Sequence, residues 1–411
     1  MNMQARPILS ALRRHKLMIG LLILEIALTC AIVCNAVFLI SQRLERTRMP
    51  SGIAEHELVL VRMADIGDRS DAAARAQTDL TALRGIAGVR QVALVDAVPF
   101  SADGPNDYVK LDPQQQQPSL NVGAYFGRSL LATLGVRLIA GRGFQPGEFV
   151  DASQVAAAME KGDFTRFPHV TLVTQAMAQR LWPGQSALGK TVYLGKNIGV
   201  QVVGILARLT RSGALSRGAD YSIVLPVSMT FDQGGLYVIR CAPQDRARVM
   251  QAAVARLKQL DPNRVLLQQD TFDRFRSDFF QSDRAMARLL VGVCLALLIV
   301  TALGIVGLAS LWVAQRRKQI GIRRALGATR GDILRYFQSE NFFIVSFGIV
   351  LGIVLAFAIN LTLMKFYELQ RLPLVDLPVG AIVLWCLGQI AILGPALRAS
   401  NVPPVVATRS V

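Results

Sequence analysis

The residues best equipped for chemistry in this chain are cations. Between Gln315 and Arg335 lie seven Lys/Arg and one acid, Asp332. Apolar residues interleave them: Ile320, Ile322, Leu326, Ile333, Leu334 and Phe337. Arg316 and Arg323 are seven apart, as are Arg317 and Arg324, so each pair shares a helix face. Gly327 interrupts the pattern. Thr329, followed three residues later by Asp332, reads as the cap of a second helix. The spacing predicts a helix, a tight bend and another helix. Its chemistry is docking: a cationic elbow studded with apolar side chains, which a soluble partner can grip.

Other candidate chemistry is weaker. Gly184-Gln-Ser-Ala-Leu-Gly189-Lys190-Thr191 matches the phosphate-cradling G-x-x-x-x-G-K-[ST] letter for letter. Such a loop needs a strand before it and a helix after it, so that N–H groups converge on phosphate. Here the pattern predicts helix before (174–182) and strand after (191–194), which argues against nucleotide binding. No G-x-S-x-G elbow occurs, so no catalytic residues are expected. The histidines (His15, His56, His169) are far apart. Four of the five cysteines lie in apolar runs, leaving Cys241 alone, and no metal site is expected.

The elements that position the elbow are membrane spans. The chain has 411 residues, 52% of them hydrophobic, too apolar for an ordinary soluble protein. The run Leu17–Ile40 would extend roughly 36 Å as a helix, enough to cross a bilayer core of about 30 Å. It is too long for a signal peptide and lacks a small-x-small cleavage site, so an uncleaved span is expected. The expected division is an N-terminal segment 1–16, spans at 17–41, 284–314, 341–364 and 379–397, the hinge 315–340, a short loop 365–378 and a tail 398–411. Segments 1–16, 315–335 and 395–411 carry net charges of +4, +6 and +2, so they hold +12 of the formal +17. Basic short segments stay cytoplasmic, which places both termini and the hinge inside. The charge then reports topology and anionic membrane lipids. No nucleic-acid footprint is expected, since no aromatics interleave the bases.

Residues 42–283 form one extracytoplasmic region. Strand, helix and strand are predicted at Glu57–Arg62, Ala72–Leu83 and Val89–Val95, and again at Leu236–Cys241, Arg246–Leu260 and Val265–Gln269. These are two β-α-β halves, 42–124 and 226–283, around a β-rich insertion at 125–225. The fold class expected is an α-helical membrane protein with four transmembrane helices and a large α+β extracytoplasmic domain. Polar residues inside the spans are candidate sites too. Glu25 is costly in a bilayer unless neutral or paired, and reads as a coupling site or as a residue buried against another span. Asn35, Asn360 and Gln389 are expected to form interhelical hydrogen bonds.

The hinge Arg317-Lys-Gln-Ile-Gly-Ile-Arg-Arg-Ala-Leu-Gly-Ala-Thr-Arg-Gly-Asp-Ile closely resembles the R-x-E-I-G-I-R-R-A-L-G-A-x-x-x-D-I signature of MacB/FtsX-like ABC transporter permeases. Leu134-Gly-Val-Arg-Leu-Ile-Ala-Gly-Arg-Gly-Phe144, Arg180-Leu-Trp-Pro-Gly with Leu188-Gly-Lys-Thr, and the tail Pro395-Ala-Leu-Arg-Ala-Ser to Arg409 look like other stretches of that family. Glu340 matches a common acid at the start of the third span. Gln319 departs from the usual Glu. The 411 residues carry no fused nucleotide-binding domain, as in the family's stand-alone permeases.

The resemblance implies that two permease subunits pair, as homo- or heterodimer, each gripping a separate cytosolic ABC ATPase that alone binds ATP and Mg. The coupling surface it implies is Arg317, Gln319, Gly321, Ile322, Arg323, Arg324, Ala325, Leu326, Gly327, Ala328 and Asp332. It implies a protein of the bacterial inner membrane that drives efflux of peptides, antibiotics or lipids from the outer face of that membrane, with a periplasmic adaptor and an outer-membrane duct as further partners. The competing function is an FtsX-like mechanotransducer that controls a cell-wall hydrolase or sensor without transport. The size of the extracytoplasmic region favours the first.

Overall fold

The structure is a computed structural model describing residues 16–66, 71–102, 104–195, 197–213, 218–230, 234–367 and 377–401. The expected segment 1–16 (but for Lys16), most of the 365–378 loop and the tail beyond 401 lie outside the described residues. The chain divides into two units, one of residues 1–47 with 282–411, the other of 48–281.

The first unit is helical. α1 spans Lys16–Thr47. Four helices of this unit are long and apolar enough to cross a membrane, over Leu17–Thr47, Gln281–Gln315, Arg330–Thr362 and Gly380–Ser400. α1 buries Ile19, Leu22, Ile26, Cys30 and Cys34 against Ile344, Val345, Ile349 and Ala356. The close approach comes from Gly348 and Gly352, four residues apart on one face. A Cβ on Gly352 would lie 2.5 Å from Cys30 Cβ and 2.8 Å from the Ala27 carbonyl oxygen. Paired small residues let helix backbones pack tightly where lipid offers no hydrophobic drive. Gly352→Leu is therefore expected to force the helices apart, an overpacking cost of at least about 1–3 kcal/mol. Melting of the detergent-solubilised protein should fall by several degrees; an unchanged melting curve would disprove the contact.

The second unit holds two sheets. β1 (Leu58–Ala64), α2 (Ala72–Arg84) and β2 (Val89–Val95) make one β-α-β unit. β12 (Gly234–Cys241), α6 (Arg246–Leu260) and β13 (Val265–Thr271) make the other. The two halves interleave in one antiparallel sheet of order β13-β1-β12-β2. Period-2 alternation sorts the side chains. Val59, Val61, Met63, Val92, Leu94, Tyr237 and Ile239 face α2 and α6. Leu58, Leu60, Ala93, Val95, Leu236 and Val238 face the other way, onto Phe100, Leu130, Leu134 and Phe272. Beneath α2 the buried Asp79 accepts from Arg264 Nη1 at 2.9 Å and from the Tyr237 hydroxyl at 2.5 Å.

The insertion is a second sheet, of order β5-β9-β7-β10-β4-β3-β8. Its members are β3 (Asn106–Lys110), β4 (Leu120–Phe126), β5 (Leu138–Gly141), β7 (Val170–Thr174), β8 (Thr191–Leu194), β9 (Ile198–Leu206) and β10 (Ser222–Leu225). β8 also pairs with β9, closing six of the strands into a ring. Val109, Val122, Val173, Met177, Val192, Val200, Val202 and Ile223 fill its core. The insertion thus begins at Asn106, not at 125 as expected. β3 and β4 are a hairpin whose loop holds the Gln tract at 114–117, and β3 alone, Asn-Asp-Tyr-Val-Lys, has too few apolar residues to announce a strand.

Asp96 follows β2 and ties the two sheets. Its Oδ1 accepts from the Phe126 N–H at 2.9 Å, whereas Oδ2 is enclosed with no hydrogen-bond partner among the described residues. Burial pushes this carboxyl up from 3.8 to about 7. A raised carboxyl keeps a proton that the unfolded chain has already released, so stability is full below about 4 and falls as pH rises towards 7. Asp96→Asn should remove that slope. The variant is expected to melt well above the parent at pH 8 and by a much smaller margin at pH 4; the same margin at both pH values would exclude a buried titrating Asp96.

Candidate coupling elbow

The elbow joins three helices of the first unit: α8 (Gln281–Gln315), α9 (Arg317–Ala325) and α10 (Arg330–Tyr367). α8 stops where Arg316 leaves helical geometry (φ −101°, ψ 6°). α9 runs nine residues to Leu326. Gly327 then takes φ +97°, which a side chain would resist, and the chain reverses. Thr329 and Asp332 start α10. Asp332 N–H donates to Thr329 Oγ1 at 3.2 Å, while Asp332 Oδ2 accepts from Thr329 N at 3.0 Å and Thr329 Oγ1 at 2.6 Å. This is a reciprocal cap. α10 then continues without a break through the third span. The expected border at 340/341 does not exist, because nothing in Gly331–Asn341 breaks a helix once it is nucleated.

One face of the elbow is anchored. Ile320, Ile333 and Phe337 pack with Ala309 and Val313 of α8 and with Ile392, Ala396 and Ala399 of α11 (Leu377–Ser400). Arg316 reaches Glu340 at 3.0 Å, and Glu340 is only 1% exposed. Arg324 Nη1 donates to the Ser400 carbonyl at 2.9 Å. The Arg323 guanidinium lies 4.8 Å over the ring of Tyr336. The two arms are thereby tied to each other and to the end of α11.

The other face is open. Arg316, Gln319, Arg323, Leu326, Ala328 and Asp332, with Tyr336 and Phe337, line a cleft of about 360 Å³. Leu326 is 83% exposed at its edge. Arg317, Lys318 and Arg330 are exposed and make no ion pair among the described residues. Of the residues named from sequence, Gln319, Arg323, Leu326, Ala328 and Asp332 come together at this cleft. Ile322, Ala325 and Gly327 are exposed around the bend, as is Arg317 on α9. Gly321 is buried and Arg324 turns towards Ser400, so these two hold the elbow rather than face outward. Sequence reasoning missed the roles of Arg316, Tyr336 and Trp312 in the elbow; the Arg316 guanidinium lies 6.0 Å over the Trp312 ring.

The intramembrane polar residues lie apart from the elbow. Asn35 Nδ2 donates to Ala31 at 2.9 Å and to Ala356 at 3.3 Å. Asn360 is buried. Gln389 Nε2 is buried without a hydrogen-bond partner among the described residues. The Glu25 carboxylate lies against Gly304, where a Cβ would come within 2.6 Å of it. One turn on, Thr29 and Thr301 share a hydroxyl hydrogen bond of 2.8 Å, a contact between α1 and α8 that sequence reasoning did not find. At Gly184–Thr191 the order is helix (α5, Gln175–Leu181) and then strand (β8), and Lys190 is spent on Gln185 at 2.5 Å and on the face of Trp182 at 5.3 Å.

Two family models match. The MacB-like periplasmic core domain covers residues 26–259, more than half the chain, and the FtsX-like permease C-terminal domain covers 291–404, elbow included. The chain belongs to the MacB/FtsX-like permease family. It is similar to the macrolide export ATP-binding/permease protein MacB of Rhodospirillum rubrum, 27% identical over 64% of this chain and 40% of that protein. It is likewise similar to the pyoverdine export ATP-binding/permease protein PvdT of Pseudomonas putida, 28% identical over 59% of this chain and 38% of that protein. With the ABC transporter permease YvrN of Bacillus subtilis it shares 23% identity over 61% of this chain and 64% of that protein. The chain spans about half or less of the length of the ATP-binding/permease relatives. As a MacB/FtsX-like permease it combines four membrane-spanning helices with a periplasmic core domain of α+β build.

Proposed function

We propose that the chain is the permease subunit of an ABC transporter, driven by a separate cytosolic ATPase that binds the ATP and Mg while this chain binds neither and is not itself catalytic. The elbow and both termini lie in the cytoplasm and the large domain in the periplasm. Two permease subunits pair in the inner membrane. ATP-driven closure of the ATPases tilts the elbow, and the spans carry that motion to the periplasmic domain. The work done there is efflux of peptides, antibiotics or lipids, with a periplasmic adaptor and an outer-membrane duct as further partners.

The observation that carries this reading is the open face of the elbow. An exposed leucine at the edge of a cleft, beside Arg317, Lys318 and Arg330, which make no ion pair among the described residues, supports a partner protein docking on this face. The names of the relatives, which export macrolides or pyoverdine, support efflux over mechanotransduction alone. The rigid continuity of α10 supports transmission, because a tilt at Arg330 is carried along one helix of roughly 57 Å.

Purification of the tagged chain from its host with identification of the co-purifying ATPase tests the coupling. Susceptibility testing of a deletion strain tests the outcome. Drug or peptide hypersensitivity with normal division supports efflux. Chaining cells with unchanged susceptibility would reject it in favour of an FtsX-like control of a cell-wall hydrolase or sensor.

A further inference from the structure

We propose that a cleft in the periplasmic core domain, between the start of the short helix Leu130–Leu134 and the loop at 143–149, binds a small amphipathic carboxylate. The cleft has a volume of about 370 Å³, at the lower end of the range that holds small ligands. Leu130 and Leu131 form one wall, Phe144, Pro146 and Phe149 the other, and Val224 of β10 the floor.

The aromatic wall is preformed. Phe144 and Phe149 meet edge to face, ring centroids 5.8 Å apart. The loop that carries them is held by a two-pronged Arg142–Glu148 pair, at 2.9 and 2.6 Å, and by the Gln145 N–H donating to Glu148 at 2.7 Å. A ligand would meet these rings without first ordering the loop.

The opposite lip carries the one charged side chain on the lining, Arg128. Its guanidinium lies 5.0 Å over the Phe149 ring. It is exposed and makes no ion pair among the described residues. Next to it Ser129 is held at φ +63°, a left-handed conformation that a non-glycine residue keeps only where its surroundings enforce it. A planar guanidinium already stacked on an aromatic face is preset to grip a carboxylate with two parallel hydrogen bonds. With apolar walls around it and no acid among the lining residues, the complementary molecule is an apolar body bearing one anionic group. The floor residue Val224 is almost fully buried on the face of β10 opposite Ile223, in the apolar cluster that also holds Leu130. The site does not depend on the motor reading.

The test uses the full chain in phosphatidylcholine nanodiscs. The probes are 2-naphthaleneacetate and its neutral analogue 2-naphthaleneethanol, with empty nanodiscs subtracted. Saturable binding of the acetate is expected, weakened roughly tenfold or more by Arg128→Leu, as for loss of a charged hydrogen bond, and less by Arg128→Lys. The alcohol should be insensitive to both, and Phe149→Ala should weaken both probes. Equal acetate affinity in the parent and Arg128→Leu would overturn the proposal. So would the absence of saturable binding, or cross-linking of Arg128→Cys to a second polypeptide without probe binding, which would assign the cleft to a protein contact.

Discussion

Arg323→Glu with Leu326→Glu is expected to abolish co-purification of the cytosolic ATPase while the spans still insert. Leu326 has almost no packing to lose within this chain, so its replacement spares the fold. In a complex its burial is worth about 1.5–3 kcal/mol. Reversing Arg323 removes a cation from the cleft and adds an anion beside Asp332. Together these changes should weaken association by two orders of magnitude or more, at about 1.4 kcal/mol per tenfold. Gly327→Pro reaches the same end by another route. Proline holds φ near −65°, the bend requires +97°, and the two arms cannot then keep their relation. Pull-down from detergent extracts, with membrane fractionation as the control for insertion, reads both variants. Retention of the ATPase by both would refute the docking assignment.

The second large effect is expected at Glu340→Ala. Its carboxylate is almost wholly enclosed and holds Arg316, which caps the end of α8. Removing one partner of a buried pair typically costs about 3–5 kcal/mol, because the other charge is left behind. The elbow should loosen from α10 and the solubilised protein should melt at a lower temperature. Arg316→Met with Glu340→Leu should recover much of that loss, since an apolar pair carries no desolvation penalty. If the double variant melts no higher than Glu340→Ala, the pair acts through something other than its charges. Co-purification of the ATPase separates structure from coupling: a double variant that is stable yet no longer binds would make the ion pair part of the docking geometry.

Much of this architecture was legible because the signals were strong and local. Apolar runs longer than twenty residues have few readings besides membrane helices, and all four helices lie where those runs are. Val89–Val95 and Arg246–Leu260 match their predicted bounds because alternation and helical periodicity are clean there. The bend at Gly327 and the Thr329–Asp332 cap were readable from residue type alone. What could not be read was pairing at long range. The interleaving of the two β-α-β halves depends on which strands meet, and β1 takes β12 and β13 as neighbours rather than β2. The hairpin of β3 and β4 joins the insertion through partners about a hundred residues away. At the elbow, Arg316 looked like one of seven equivalent cations. Only the fold sets it apart, by bringing Glu340, 24 positions on, into reach. Thr29 and Thr301 were invisible for the same reason, 272 positions apart.

The closure of β8 onto β9 has a bearing on survival beyond the cytoplasm. A row of unpaired backbone N–H and carbonyl groups invites other chains to zip on, and a sheet rolled shut offers few such rows. Weakening the short β8, for instance with a proline at Val192, would unseal the cylinder and expose two fresh borders at once. Clumping of the protein should then precede any loss of its membrane spans.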